Sequence, residues 1–301
     1  MSGFFARRPP DQPGLAMFLN AGDPPLPVLA DVMRMLDDCR VDCLELAVPF
    51  PDSVTDGPVI RRSAQRALAD GVGLDEVLGL LSGILPRLRH LRVALLADWS
   101  HTVRGPAVPG FVRRVADSGV DGLLVHGLPP RLRAGYLEAV QEAGLPVVAT
   151  CYAASTAEVK AAAAAAESAT AYLYLVAHYG RSGGTLTADR QELAAALAAL
   201  RRTTAVPIAV GFGVRSRADI DLLHGLGADA AVVGSAGVAR IEHALAEGAD
   251  VVEELHTFVQ TVSPYSASRS LDKPLIQQTP DSASHSFNKP PGGTPDDRPT
   301  P

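Results

Sequence analysis

Two carboxylates near the end of one apolar run are the residues best suited to chemistry. Glu45 lies in the middle of the run 41–48, which otherwise carries only Asp42 as a charged residue. An acid inside a buried parallel strand is costly unless it is paired or used. The run breaks at Pro49-Phe50-Pro51, and the loop beyond it supplies Asp52 and then Asp56, just before Gly57-Pro58. One dry acid and one acid on the following loop could divide proton transfer between them. The same pattern also suits a glutamate ion-paired to a neighbouring strand and an aspartate that shapes an Asp-Gly turn.

Glycine turns later in the chain suggest what those acids act upon. Gly211-Phe212-Gly213 and Gly234-Ser235 each follow an apolar run, and Gly183-Gly184 follows another. Glycine lets backbone N–H groups approach an anion, and a helix N-terminus adds partial positive charge. In a (β/α)8 barrel the loops after strands seven and eight are a frequent phosphate site. Tight turns need glycine too, so the repetition on two consecutive runs carries the reading. Softer candidates are Tyr174, mid-strand with Tyr172 on the same face, His126 and His178 at strand ends, and Asp98, which could equally cap a turn.

These residues need a scaffold that brings strand ends together. Strand-like runs fall at 15–20, 41–48, 91–97, 121–126, 145–151, 171–177, 206–210 and 228–233. Helical spacing separates them: 27–40, 59–70, 74–85, 111–118, 130–143, an alanine-rich 155–166, 188–202, 217–226 and closing helices over 241–262. Eight such alternations over about 250 residues predict an α/β fold, a (β/α)8 TIM barrel, with its catalytic face at the strands' C-terminal ends. Residues 1–13 read as a flexible lead-in and 14–262 as the barrel. From 263 to 301, Pro, Ser, Asp and Thr dominate, and such a segment is expected to stay disordered.

Composition narrows the function classes. The 301 residues carry a net charge of −6 with no dense basic cluster, which argues against nucleic acid. Three cysteines, Cys39, Cys43 and Cys151, show no metal-ligand spacing and suit a reducing cytoplasm. The i, i+4 pair Cys39 and Cys43 reads as a helix end running into a strand. Neither a signal-peptide core nor a membrane-length apolar run is present. No HExxH, P-loop or GxSxG motif occurs, so neither metal nor cofactor is expected.

Phe18-Leu19-Asn20-Ala21-Gly22-Asp23-Pro24, Leu44-Glu45-Leu46-Ala47-Val48-Pro49-Phe50, Asp52, Thr55-Asp56-Gly57-Pro58 and Gly211-Phe212-Gly213 together resemble the tryptophan synthase alpha subunit family. Order and spacing hold from about residue 15 to 250. The resemblance implies a lyase that cleaves indole-3-glycerol phosphate to indole and glyceraldehyde 3-phosphate. Glu45 matches the acid/base that protonates indole C3, and Asp56 the carboxylate that accepts the indole N–H. Phe18 matches an indole-pocket wall, Tyr174 the active-site tyrosine of strand six, and Gly183, Gly213, Gly234 and Ser235 the phosphate loops. A beta subunit, in an alpha2-beta2 tetramer, is the implied partner.

The resemblance is imperfect in the loops. Asp98-Trp99-Ser100 stands where the family has Tyr-Ala-Asn, and Gly127-Leu128-Pro129 where it has Asp-x-Pro. His178 replaces an arginine, and Pro51 and Ser53 exchange the usual Ser and Pro. The catalytic pair is kept while loops that contact a beta subunit differ. Two other readings therefore stand beside the alpha reaction: a stand-alone indole-3-glycerol phosphate lyase of a specialised pathway, and a non-catalytic phosphate-binding paralogue that regulates a beta subunit.

Overall fold

The computed structural model describes residues 3–5, 11–103, 108–152, 168–176, 190–211 and 213–265. Eight parallel strands follow the expected runs: β1 (Gly14–Asn20), β2 (Cys43–Ala47), β3 (Arg92–Asp98), β4 (Gly122–His126), β5 (Val148–Tyr152), β6 (Tyr172–Val176), β7 (Ile208–Gly211) and β8 (Ala230–Val233). They pair in the order β4-β3-β2-β1-β8-β7-β6-β5. Among the described residues β4 and β5 meet at one isolated bridge, Leu123 with Val147, which brings the ribbon round into a (β/α)8 barrel.

The helices are α1 (Leu26–Asp38), α2 (Pro58–Ala69), α3 (Leu74–Ile84), α4 (Val108–Asp117), α5 (Arg133–Glu142), α6 (Arg190–Arg201), α7 (Arg217–Gly225), α8 (Ser235–Glu247) and α9 (Val251–Val262). The last pair corrects the expectation that helix begins near residue 241. Helix α8 starts at Ser235, directly after β8. The turn read at Gly234-Ser235 is the N-terminus of this helix, and Gly237 in its first turn is a packing residue: a Cβ there would lie 2.7 Å from Met17 Cε. Residues 130–143 begin with a 3-10 turn, Pro130–Leu132, before α5. The alanine-rich segment 155–166 lies outside the described residues.

Strand alternation sorts the core into two clusters. Leu15, Met17, Leu19, Leu44, Leu46, Val93 and Leu95 point outward beneath the helices. Ala16, Cys43, Ala94, Ala209 and Ala230 point into the barrel. Both faces are apolar, so each strand reads as a continuous run rather than an alternating one. The small inward residues leave space that the N-terminal segment fills. Phe4 and Phe5, from the expected lead-in, are buried with Tyr172 inside the barrel. Gly14 and Gly122, the first residues of β1 and β4, make room for them: a Cβ would stand 2.8 Å from Phe5 Cδ1 or 3.2 Å from the Phe4 ring. Burying each ring contributes about 2 kcal/mol.

Two polar contacts tie the ends of the barrel. Asp42 accepts from Leu15 N at 2.8 Å and from the Tyr265 hydroxyl at 2.9 Å, so the chain stays docked just beyond α9. On the other face, Arg66 donates through two nitrogens to buried Asp23, at 2.8 Å each, and also to Glu242 on α8. Arg62 donates twice to the same Glu242 at 2.7 Å. Hydrogen bonding from Arg62, and then Arg66, pulls the Glu242 carboxyl down to about 2. Helices α2 and α8 are thereby joined by charge. Of the expected tail, 263–301, residues 263–265 are described and packed at the end of α9, and the remainder lies outside the described residues.

Candidate active site

The C-terminal end of the sheet opens into a cavity lined by residues from all eight strands or the loops that follow them. Glu45, Asp56, Phe18, Tyr174, Gly213, Gly234 and Ser235 all line it. Gly183 lies outside the described residues, as do Gly184 and His178. His126 lines the same cavity.

Register explains the meeting. Phe18 on β1 is paired with Glu45 on β2, so ring and acid point into the barrel side by side. Tyr174 on β6 is paired with Ala209 on β7, and the next inward position of β7 is Gly211. A Cβ on Gly211 would stand 2.1 Å from the Tyr174 hydroxyl oxygen. That glycine therefore gives the tyrosine its place. The other glycine of the motif, Gly213, has φ +87°, which an L side chain adopts only with strain.

Glu45 is 4% exposed. The partner of its carboxyl is Tyr172, whose hydroxyl donates to Glu45 Oε1 at 2.7 Å. The ion pair considered from sequence is replaced by this neutral donor. Burial raises the Glu45 carboxyl from 4.5 to about 7, and the Tyr172 bond only partly opposes it. The group can thus both give and take a proton near neutral pH. Cys43 Sγ lies 3.9 Å from Tyr172 Oη, and because the phenol donates upward to Glu45, the thiol is the donor in that contact. Burial pushes the Tyr174 phenol well above its ordinary value, with Glu45 and then Asp56 adding to the effect. Tyr174 is therefore neutral, a donor rather than a base.

Asp56 sits two residues before Pro58, which opens α2. Helix α2 is held to the barrel by Asn20 at the end of β1. The Asn20 amide donates to Ile60 O at 3.1 Å and to Ser63 Oγ at 3.0 Å. Opposite, Gly234 is the N-cap of α8 and, lacking a side chain, caps none of the first N–H groups of that helix. A helix N-terminus of this kind has the donors and the dipole that suit an anion.

Asp98 performs the capping role. Its Oδ1 accepts from Ser100 N at 2.9 Å, His101 N at 3.0 Å and His101 Nδ1 at 2.8 Å, closing the π-helical turn Trp99–Val103 on itself. Sequence reasoning missed Asn20, Thr150 and Tyr152, which also line the cavity. It also gave Tyr172 no role, although side-chain parity already placed it inward. Among the described residues no group of three or more His, Cys, Asp or Glu could hold a metal. No helix among them is long and apolar enough to cross a membrane.

Fold and cavity define a (β/α)8-barrel enzyme with acidic side chains and a helix N-terminus around one mouth. The family model for the tryptophan synthase alpha chain matches residues 4–267. The tryptophan synthase alpha chain of Rippkaea orientalis is 36% identical over 239 residues, 79% of this chain and 85% of that protein. The one from Synechocystis sp. is 35% identical over 260 residues, 85% of this chain and 94% of that protein. A mutant tryptophan synthase alpha-subunit from Pyrococcus furiosus superposes with TM-score 0.74 at 28% identity, covering 83% of this chain and 98% of that one. The chain belongs to the tryptophan synthase alpha chain family.

Proposed function

We propose that this enzyme cleaves indole-3-glycerol phosphate to indole and glyceraldehyde 3-phosphate, with Glu45 and Asp56 as its proton carriers. Family membership supports the reaction. The observation that supports the assignment of roles is a dry Glu45, poised near pH 7, in one cavity with Asp56 and the free end of α8.

The steps balance on these two acids. The α8 N-terminus and the glycine turn at Gly213 take the phosphate and fix the substrate. The Glu45 carboxyl gives its proton to indole C3 while Asp56 takes the proton on N1, which leaves an indolenine. The Glu45 carboxylate then removes the proton from the hydroxyl beside the bond to be broken. That carbon becomes the aldehyde of glyceraldehyde 3-phosphate, and the bonding pair returns to the ring. N1 recovers its proton from Asp56, and both acids are restored. Phe18 supplies an apolar wall for the ring, and neutral Tyr174 a hydroxyl at the mouth.

A beta subunit is the proposed partner, and the cytoplasm, in keeping with three cysteines that form no disulfide, the proposed location. One observation favours a second reading, a lyase that releases indole alone: the loop after β3 satisfies its own donors through Asp98. Indole release from indole-3-glycerol phosphate, measured with and without a tryptophan synthase beta subunit, tests both. Slow release that rises with the beta subunit supports the alpha subunit, and fast unaided release the stand-alone enzyme. No release in either case removes the lyase reading.

A further inference from the structure

Glu45 is reached by substrate from above, yet its surroundings are completed from below, by a segment remote from the cavity. Phe4 and Phe5 are each 4% exposed, and both rings meet Tyr172 edge-on, with centroids 5.1 Å and 5.4 Å away. Tyr172 is fully buried, and its hydroxyl holds Glu45 Oε1 at 2.7 Å. Most of the inward residues packed with these rings are small, Ala16, Cys43, Ala94, Ala171, Ala209 and Ala230, with Val148 beside Tyr172. The two phenylalanines occupy the space that these side chains leave.

We propose that Phe4 and Phe5 are positioning residues for Glu45: they seal the N-terminal mouth of the barrel and fix the Tyr172 ring, so that the acid stays dry and correctly aimed. The inference rests on Glu45 being the proton carrier of the proposed reaction. Neither ring touches substrate, and both act through Tyr172.

A ring removed at position 4 or 5 leaves a void against the Tyr172 ring, whose hydroxyl bonds Glu45 Oε1 at 2.7 Å and lies 3.9 Å from Cys43 Sγ. A void with two to four polar partners takes up water, whereas a purely apolar one stays empty. Water there solvates the charged form of Glu45 and lowers its proton affinity. The titratable groups around Glu45 are Cys43 on its own strand, Tyr172 and Tyr174 on β6, Tyr152 on β5, His126 on β4 and Asp56 in the loop after β2. Substitution at Phe4 or Phe5 alters none of them directly, so a change in the Glu45 titration reports hydration and orientation.

The test is a carbon-13 NMR titration of glutamate carboxyls in the full chain, with the Glu45 signal assigned by its absence in Glu45→Gln. Phe4→Ala and Phe5→Ala should each lower the Glu45 midpoint by about half a unit to one unit, and the alkaline limb of kcat should fall with it. Phe4→Leu and Phe5→Leu, which refill the space with apolar volume, should keep the wild-type midpoint. If an alanine variant does not fold, Phe4→Val and Phe5→Val leave smaller voids and carry the same expected direction. Folded alanine or valine variants that titrate Glu45 as the wild type does would overturn the proposal. The titration needs no turnover, so it stands even if the purified chain releases no indole, an outcome that would sink the lyase reading alone.

Discussion

The Tyr172 hydroxyl donates to Glu45 Oε1 across 2.7 Å, and this bond opposes the burial that holds the acid near pH 7. Its removal should therefore act opposite to wetting the barrel. In Tyr172→Phe the charged carboxylate loses a donor, and the Glu45 midpoint should rise by about one unit, since a hydrogen bond to a charged group contributes about 1.5 kcal/mol or more. The pH profile of kcat should show its alkaline limb moved upward. A limb that stays in place would mean that the bond does not persist during turnover.

Glu45→Gln should separate activity from stability. Loss of the proton carrier should lower kcat by about a hundredfold to ten-thousandfold. Folded Glu45 keeps its proton up to about 7, whereas an unfolded chain loses it near 4.5. The folded state thus binds more protons between these values, and its stability falls as pH rises through that window. Glutamine removes this penalty. Denaturant melts should show the variant and wild type alike near pH 4 and the variant ahead by roughly 3 kcal/mol at pH 8.

Ser235 offers a second pair of opposite signs. An acid in the first turn of α8 meets the positive end of the helix, so Ser235→Asp should gain about 0.5 kcal/mol in stability. The same charge repels a phosphate, and KM for the substrate should rise at least about tenfold. Competition by inorganic phosphate should weaken in parallel. An unchanged KM would place the phosphate elsewhere.

Gly211 is constrained by a neighbour. A Cβ there would stand 2.1 Å from Tyr174 Oη and 2.7 Å from its Cζ. Gly211→Ala should therefore cost about 1–3 kcal/mol and displace the tyrosine. Because the hydroxyl makes the tightest contact, adding Tyr174→Phe should return part of the lost melting temperature. Strictly additive losses in the double variant would contradict this coupling.

The barrel was legible because each strand is apolar on both faces and each helix has its own period. Glu45 and Asp56 stood out because acids are costly in or beside such strands. Other features could not be read from local pattern. Phe4-Phe5 is too short for any period, and its burial is set by glycines at positions 14 and 122. The start of α8 was hidden because Gly234-Ser235 serves at once as the turn after β8 and as the first residues of the helix. Asp37, at the end of α1, accepts from the backbone nitrogens of Arg89, His90 and Leu91 and so organises the entry to β3, a long-range partnership without a motif. Tyr172 had the right parity, but only the folded register brings its hydroxyl to Glu45.

The seam between β4 and β5 leaves the barrel, in its hydrogen-bonded ladder, a strip whose two edges merely touch. A permuted gene opened between α5 and β5 would lay down its strands in spatial order, from β5 through β8 and β1 to β4, each beside the last. Phe4 and Tyr265 both lie towards the N-terminal mouth of the barrel, the latter held by Asp42, so a joint between these two segments would stay on the face away from the cavity. The barrel would then be wound as a single sheet, each strand added to the edge left by the one before it.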